Sequence, residues 1–284
     1  MAHSFLFETL TLGAVLLTGA TLGTVASIDS AGPPALRICA DGSNLPLSDR
    51  SGAGFENQIA SLVAGELHEP LSYTWSSQAD GSIQDLNAHR CDIVLGVAAD
   101  DHRVRPTRAY YRSTYVFVQR ADLLPPIQSL DDPRLSHLRI GVHAAGGDHA
   151  SQPPGIALAR RGLLAHLSRF SRDGLDDRSA SHPLVDAVAE GSIDLAVAWG
   201  PLVGDYTRHT GRVLVVTVVP SSEGTDGAPF MADIAMGVRS DDSLTQRTLD
   251  AVLLRRHDAI AAILRKFSVP EVQDTRTLAA LGTR

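Results

Sequence analysis

Apolar residues along this chain fall into short β-branched runs separated by stretches with helical spacing. Leu36-Arg37-Ile38-Cys39-Ala40 predicts a first strand. A loop from Asp41 to Gly54 follows, and Phe55 to Leu67 then sets Ile59, Leu62, Val63 and Leu67 on one helical face. Leu71 to Trp75 predicts a second strand, Ile83 to His89 a short helix, and Asp92 to Val97 a third strand. In Tyr110-Tyr111-Arg112-Ser113-Thr114-Tyr115-Val116-Phe117-Val118 the residues from Ser113 onward are β-branched and aromatic, which predicts another strand. The pattern then restarts. Leu138 to Val142 reads as a strand, Gly155 to Leu167 and Leu184 to Ala189 as helices, and Ile193 to Ala198 as a strand stopping on Trp199-Gly200-Pro201. Leu214 to Val219 and Asp233 to Val238 complete the strands. Ser240-Asp241-Asp242 caps one or two helices between Leu244 and Phe267.

Strands alternating with helices imply α/β architecture, with parallel-dominated sheets covered on both faces. The restart implies two α/β lobes. The last strand and helices are expected to return to the first lobe, giving lobe 1 residues 34–119 plus 233–270 and lobe 2 residues 122–230. Residues 271–284 are expected to form a peripheral tail. The chain then crosses between lobes twice, near Val118–Asp122 and near Phe230–Asp233, and two crossings make a hinge. Arg112 is expected to form a salt bridge close to it.

Composition narrows the function. The 284 residues carry 25 basic and 32 acidic side chains, for a net charge of −7, and the only lysine is Lys266. That balance excludes a phosphate-backbone binder, and a catalytic lysine is excluded with it. Thr9 to Val25 is a nearly uncharged apolar run followed by small residues, with Ala26 and Ser27 as cleavage positions. It reads as a secretory signal over residues 1–27, although no Lys or Arg precedes the run and Glu8 does. With that segment removed, no membrane association is expected and the protein is expected to be exported. The two cysteines, Cys39 and Cys91, then form either one disulfide or two buried thiols. A bridge requires a register that brings their Cα atoms within about 7 Å.

Ligands in α/β sheets sit at the carboxyl ends of strands, so Trp199 is the first candidate to line a cleft. His143 follows the first strand of the second lobe and is a second candidate. His137, His143 and His149 are six residues apart, a spacing that suits neither a helix face nor a hairpin, so no metal site is expected. Asp41, Asp100, Asp101 and His102 gather at strand ends of the first lobe, but exposed loop carboxylates are ordinarily solvated. No catalytic role is assigned to them, and the protein is read as a non-enzyme.

Several segments together resemble the solute-binding-like proteins associated with quinoprotein alcohol dehydrogenases, which include the J protein of methanol-oxidation clusters. They are Leu36 to Asp41 with Asn44-Leu45-Pro46, Gly54 to Asn57, Cys91 to Gly96, Thr107 with Tyr110 to Val118, Ala157 to Gly162, Trp199-Gly200-Pro201-Leu202 and Asp233 to Arg239. The resemblance covers about residues 35–270. It implies a two-lobed periplasmic binding protein of type II, with a cleft that closes between lobes, in the service of a methanol dehydrogenase. The pyrroloquinoline quinone and metal belong to that partner, and this chain is expected to hold no cofactor of its own. Asp41, Asn44, Thr107, Tyr110 and Gly200 enter the candidate cleft set on these segments, and Arg103 joins them as the cation available after the third strand. Amino-acid-binding relatives hold the ligand ammonium with an acidic residue where this chain has Trp199, and clamp its carboxylate with a hydroxyl and an arginine after the third strand. Here that stretch is Ala98-Ala99-Asp100-Asp101-His102-Arg103, leaving Arg103 without the hydroxyl. A desolvated zwitterion needs both charges paired, so a free amino acid is disfavoured. The alternative is a receptor that delivers a different small molecule to an ABC-type importer.

Overall fold

In the computed structural model, residues 35–76, 81–144, 152–171, 182–208, 213–220, 229–270 and 272 are described. The expected signal segment, His149 and nearly all of the expected tail therefore lie outside the described residues. The elements run β1 (Leu36–Asp41), β2 (Ser43–Asn44), β3 (Ser48–Asp49), α1 (Phe55–Leu67), β4 (Leu71–Ser76), α2 (Gly81–Asn87), β5 (Ile93–Ala98), β6 (Arg105–Pro106) and β7 (Tyr111–Arg120). There follow β8 (Ile140–Ala144), α3 (Pro153–Arg160), β9 (Leu167–Ser171), α4 (His182–Glu190), β10 (Leu195–Trp199), α5 (Gly200–Val203), β11 (Leu214–Val218), β12 (Met231–Val238), α6 (Ser243–Arg255) and α7 (His257–Lys266).

One sheet runs β4-β1-β5-β12-β7-β10-β8-β9. Each lobe contributes a parallel trio, β4-β1-β5 in the first and β10-β8-β9 in the second. Between the trios lie β12 and β7, antiparallel to each other and to their other partners, as strands running from lobe to lobe must be. The long strand β7 changes partner midway. Tyr111 to Thr114 pair with β12, while Tyr115 to Gln119 pair with β10 and Val116 to Arg120 with β11. The change falls around Tyr115, earlier than the Val118–Asp122 expected from composition. The apolar stretch that suggested a first-lobe strand already belongs to the second lobe's ladder.

Strand periodicity explains how both faces are filled. Along β10, Leu195 and Val197 join the core under α3, while Ala196 and Ala198 join the core under α4 and α5. Along β5 the alternation slips. Ile93 and Leu95 face α1 and α6, Val94 faces the α2 side, and Val97 faces that side again, one place late. Gly96 takes up the slip with φ +73°, and the β12 register shifts opposite it between Ala235 and Gly237.

Where the sequence pattern and the structure differ, the cause is local. The helix expected over Gly155 to Leu167 stops at Arg160, because Gly162 turns the chain with φ +76°. Leu167, the last residue of the expected helix, instead opens β9, a strand the sequence reading did not give. At the other end, Asp242 caps α6 by accepting the Thr245 N–H at 3.0 Å, as the cap reading expected.

Arg112 clasps Asp233 across β7 and β12, Nε to Oδ1 at 2.6 Å and Nη2 to Oδ2 at 2.7 Å. Those hydrogen bonds hold the Asp233 carboxyl below its usual value. A carboxylate with a depressed folded pKa adds stability above its unfolded pKa, and that stability is lost as pH falls through the folded value. With the side chains 34% and 41% exposed, the gain is at most about 1 kcal/mol. Asp233→Asn should therefore flatten the acid limb of a stability-versus-pH curve and leave stability near neutral pH within about 1 kcal/mol of wild type.

Candidate functional site

The candidate cleft is taken at the carboxyl ends of β1 and β4 in the first lobe and of β8 and β10 in the second, where α/β sheets bind ligands. Trp199 closes β10 opposite Tyr115 and is the N-cap residue of α5. The sequence ended a strand at Trp199-Gly200-Pro201 and missed the short helix that starts there, with Pro201 in its first turn. The indole is half-buried and packs against the α1-side core of the first lobe as well as the α4-side core of the second. Its ring meets Tyr115 edge-on, with centroids 5.2 Å apart and planes at 67°. Tyr115 in turn meets Phe230 edge-on at 5.5 Å, and its hydroxyl donates to Gln152 Oε1 at 3.3 Å. Burial raises the Tyr115 pKa far above that of a free phenol, so it remains a neutral donor. Trp199 is thus a wedge between two cores, with only part of its ring free to line a cleft.

Asp41, at the end of β1, accepts the backbone N–H and the hydroxyl of Ser43 on Oδ1, at 2.9 and 3.2 Å, and so shapes its own turn. Three residues on, Asn44 pairs with Ser48 in the β2–β3 hairpin, and its buried Oδ1 has no hydrogen-bond donor among the described residues. On β8, His143 is half-buried and sits opposite Phe170 of β9. Gly200 begins α5 within the second lobe's core.

Three of the expected cleft residues are placed elsewhere. Arg103 turns back onto Asp101 in its own exposed loop, Nη2 to Oδ2 at 2.7 Å, and its hydrogen bonds hold Asp101 low. The guanidinium that was to remain available for a carboxylate already has one. Thr107 is buried against β12, where its hydroxyl accepts the Met236 N–H at 3.0 Å and donates to Arg108 O at 2.9 Å. The adjacent Pro106 pairs with Gly237, which also pairs with Val94, so Thr107 lies toward the amino end of β5 and away from the cleft. Tyr110 is a core residue whose hydroxyl accepts the Gly96 N–H at 3.2 Å. Burial first, and the nearby Glu56 carboxylate second, push its pKa well up. Thr107 and Tyr110 share one physical reason: after β5 the chain turns back and pairs along β12, where the Thr107 and Tyr110 N–H groups donate to Met236 O and Ile234 O.

Cys39 and Cys91 are joined in a disulfide with Cα atoms 5.5 Å apart. Both are buried in the cluster beneath α2. The register allows it because Cys39 pairs with Val94 while Cys91 lies just ahead of β5, where the Asp92 N–H donates to Arg37 O.

Sequence reasoning missed an aromatic stack on the first lobe's edge strand. Tyr73 and Trp75 of β4 stack at 4.5 Å with planes 11° apart, and the Arg50 guanidinium caps Trp75 at 5.7 Å. Gly42 makes room for Arg50, since a Cβ there would lie 2.9 Å from its Cγ and Nε. The signal was legible: residues two apart on a strand share a face. Among the described residues no helix is long and apolar enough to cross a membrane.

Comparison with known proteins gives concordant results. No family model matches the chain. Protein MoxJ of Methylorubrum extorquens is 36% identical over 262 residues, covering 88% of this chain and 86% of MoxJ. The crystal structure of the periplasmic binding protein XoxJ from Methylobacterium extorquens superposes with TM-score 0.70 at 32% identity, covering 84% of this chain and all of XoxJ. An ancestral cationic amino acid solute-binding protein, 18% identical with TM-score 0.64, shares the fold alone, over 82% of this chain and 95% of its own. With more than a third of its residues shared along most of its length, the chain belongs to the MoxJ/XoxJ-type family of periplasmic solute-binding-like proteins.

Proposed function

We propose that this protein acts in the periplasm, without catalytic activity of its own, as an accessory to a pyrroloquinoline-quinone-dependent methanol dehydrogenase. In this reading the space between the lobes receives a segment of the dehydrogenase or of its unassembled form. The observation that carries it is the Trp199 wedge. Where amino-acid-binding relatives place an acid for the ligand ammonium, this chain places an indole anchored in both lobes, and Arg103 is held by Asp101. A charged zwitterion would be desolvated there without partners for either end. An apolar or aromatic side chain of a protein segment suits the Trp199–Tyr115 surface.

Affinity capture of the dehydrogenase by the mature protein, with holoenzyme yield in a deletion strain, tests this. Association and reduced yield are expected, whereas no association with an unchanged yield would sink the proposal. Trp199→Phe should keep the fold and weaken capture about tenfold, the loss of one well-placed aromatic contact. Calorimetry separates the importer-receptor reading. A small metabolite bound at micromolar or tighter affinity, and lost in the same variant, would favour a receptor.

A further inference from the structure

The carboxyl-terminal segment crosses the junction between the lobes as a third connection. After α7, Ser268 turns the chain through φ +52°, and Val269 inserts into the first lobe's core. Pro270 O then accepts the buried Ser113 hydroxyl at 2.6 Å, and the Val272 N–H donates to Arg112 O at 3.2 Å. Both bonds fall on β7 just before its ladder with β10 begins, at Tyr115 opposite Trp199. The segment thus takes up β7 where β10 leaves it.

Its other side lies on the second lobe. A Cβ on Gly200 would come within 2.8 Å of both Pro270 Cγ and Thr114 O. A Cβ on Gly204 would overlap Ser268 O, although Gly204 has an ordinary right-handed helical conformation that alanine adopts without strain. Neither glycine is required by its own backbone. Both allow another stretch of chain to approach closely. Between them, Leu202 and Val203 root α5 in the second lobe's core. Rotation of one lobe against the other about β7 and β12 must therefore slide α5 along Ser268–Pro270.

We infer that Ser268–Pro270 and Val272 form a latch that sets the angle between the lobes, with Gly200 and Gly204 as the surface it closes on. The Trp199-Gly200-Pro201 segment then has two tasks: the indole wedges between the two cores, and the glycine seats the latch. This holds whatever the cleft receives. Opening or closing costs the Ser113 and Arg112 bonds to the latch, in addition to bending the two crossing strands.

Hydrogen exchange and small-angle scattering on the full mature chain test it. In Gly204→Ala, exchange at Arg112–Val116 and Met231–Asp233 should rise about tenfold while β1 and β8 keep their protection. Scattering should report a broader spread of inter-lobe distances. Gly65→Ala is the control, because a Cβ there meets nothing within 4 Å, and it should leave the junction unchanged. Should Gly204→Ala fail to fold, Ser113→Ala, which removes one bond to Pro270 O, should show the same confined acceleration of about threefold. An unchanged junction, or exchange accelerated equally throughout the molecule, would overturn the latch.

Discussion

Gly96→Ala is expected to be the most damaging single substitution in the first lobe. Gly96 holds φ +73°, and a Cβ would overlap Glu56 Oε1, itself buried at the first turn of α1. The left-handed backbone alone costs an alanine about 1–2 kcal/mol. Displacing a buried carboxylate adds to this, for a total of about 3–5 kcal/mol, a large part of the stability of an ordinary domain. Beyond the residue itself, the change disturbs the Gly96 N–H bond to the Tyr110 hydroxyl and the slip that returns Val97 to the α2 side. Urea denaturation measures the effect. Gly96→Asn, which tolerates the backbone conformation, should be as damaging if the overlap dominates and clearly milder if the backbone does. A loss below about 1 kcal/mol for alanine would mean that Glu56 moves aside freely.

Removal of the Cys39–Cys91 disulfide is expected to have an effect of similar size through the unfolded chain. The bond closes a loop with sequence separation 52, for which chain entropy alone gives about 4 kcal/mol. Both sulfurs are buried, so reductant should not reach them in the native protein and should act only as it unfolds. The double variant Cys39→Ala/Cys91→Ala should therefore melt well below wild type, and oxidised wild-type protein should melt higher without reductant than with it. If reductant leaves the midpoint unmoved while thiol labelling shows the bond broken, the crosslink contributes little.

The crossing strands, the wedge and the proposed latch share one consequence for function. The lobes are joined by two antiparallel strands with a cross-strand ion pair, by an indole embedded in both cores, and by a carboxyl-terminal segment lying across the junction. Such a junction favours a partner that meets a preformed surface over a small ligand that must draw the lobes together.

Much of the architecture was legible in the pattern of side chains. The helix Phe55–Leu67 and most strand positions follow from periodicity, because a residue's face on a strand or helix is a local property of the chain. The absence of an acid at Trp199 could be read directly. Boundaries erred where a glycine changed direction, as at Gly162, and where an apolar run served the other lobe, as in the second half of β7.

What no local pattern carried was which groups meet. Arg103, Thr107 and Tyr110 all looked available, and only the folded chain shows the first turned onto Asp101 and the other two paired along β12. Likewise, Gly200 was read as a cleft residue and Gly204 drew no reading, whereas a segment more than sixty residues later lies against both. Most helices and strands and the α/β plan followed from residue type and spacing, and the missing ammonium partner from the resemblance. The tertiary structure alone decided the cysteine pairing, the wedge, the latch and the true occupants of the junction. Those depend on distances between residues far apart in the chain, and local propensity does not encode them.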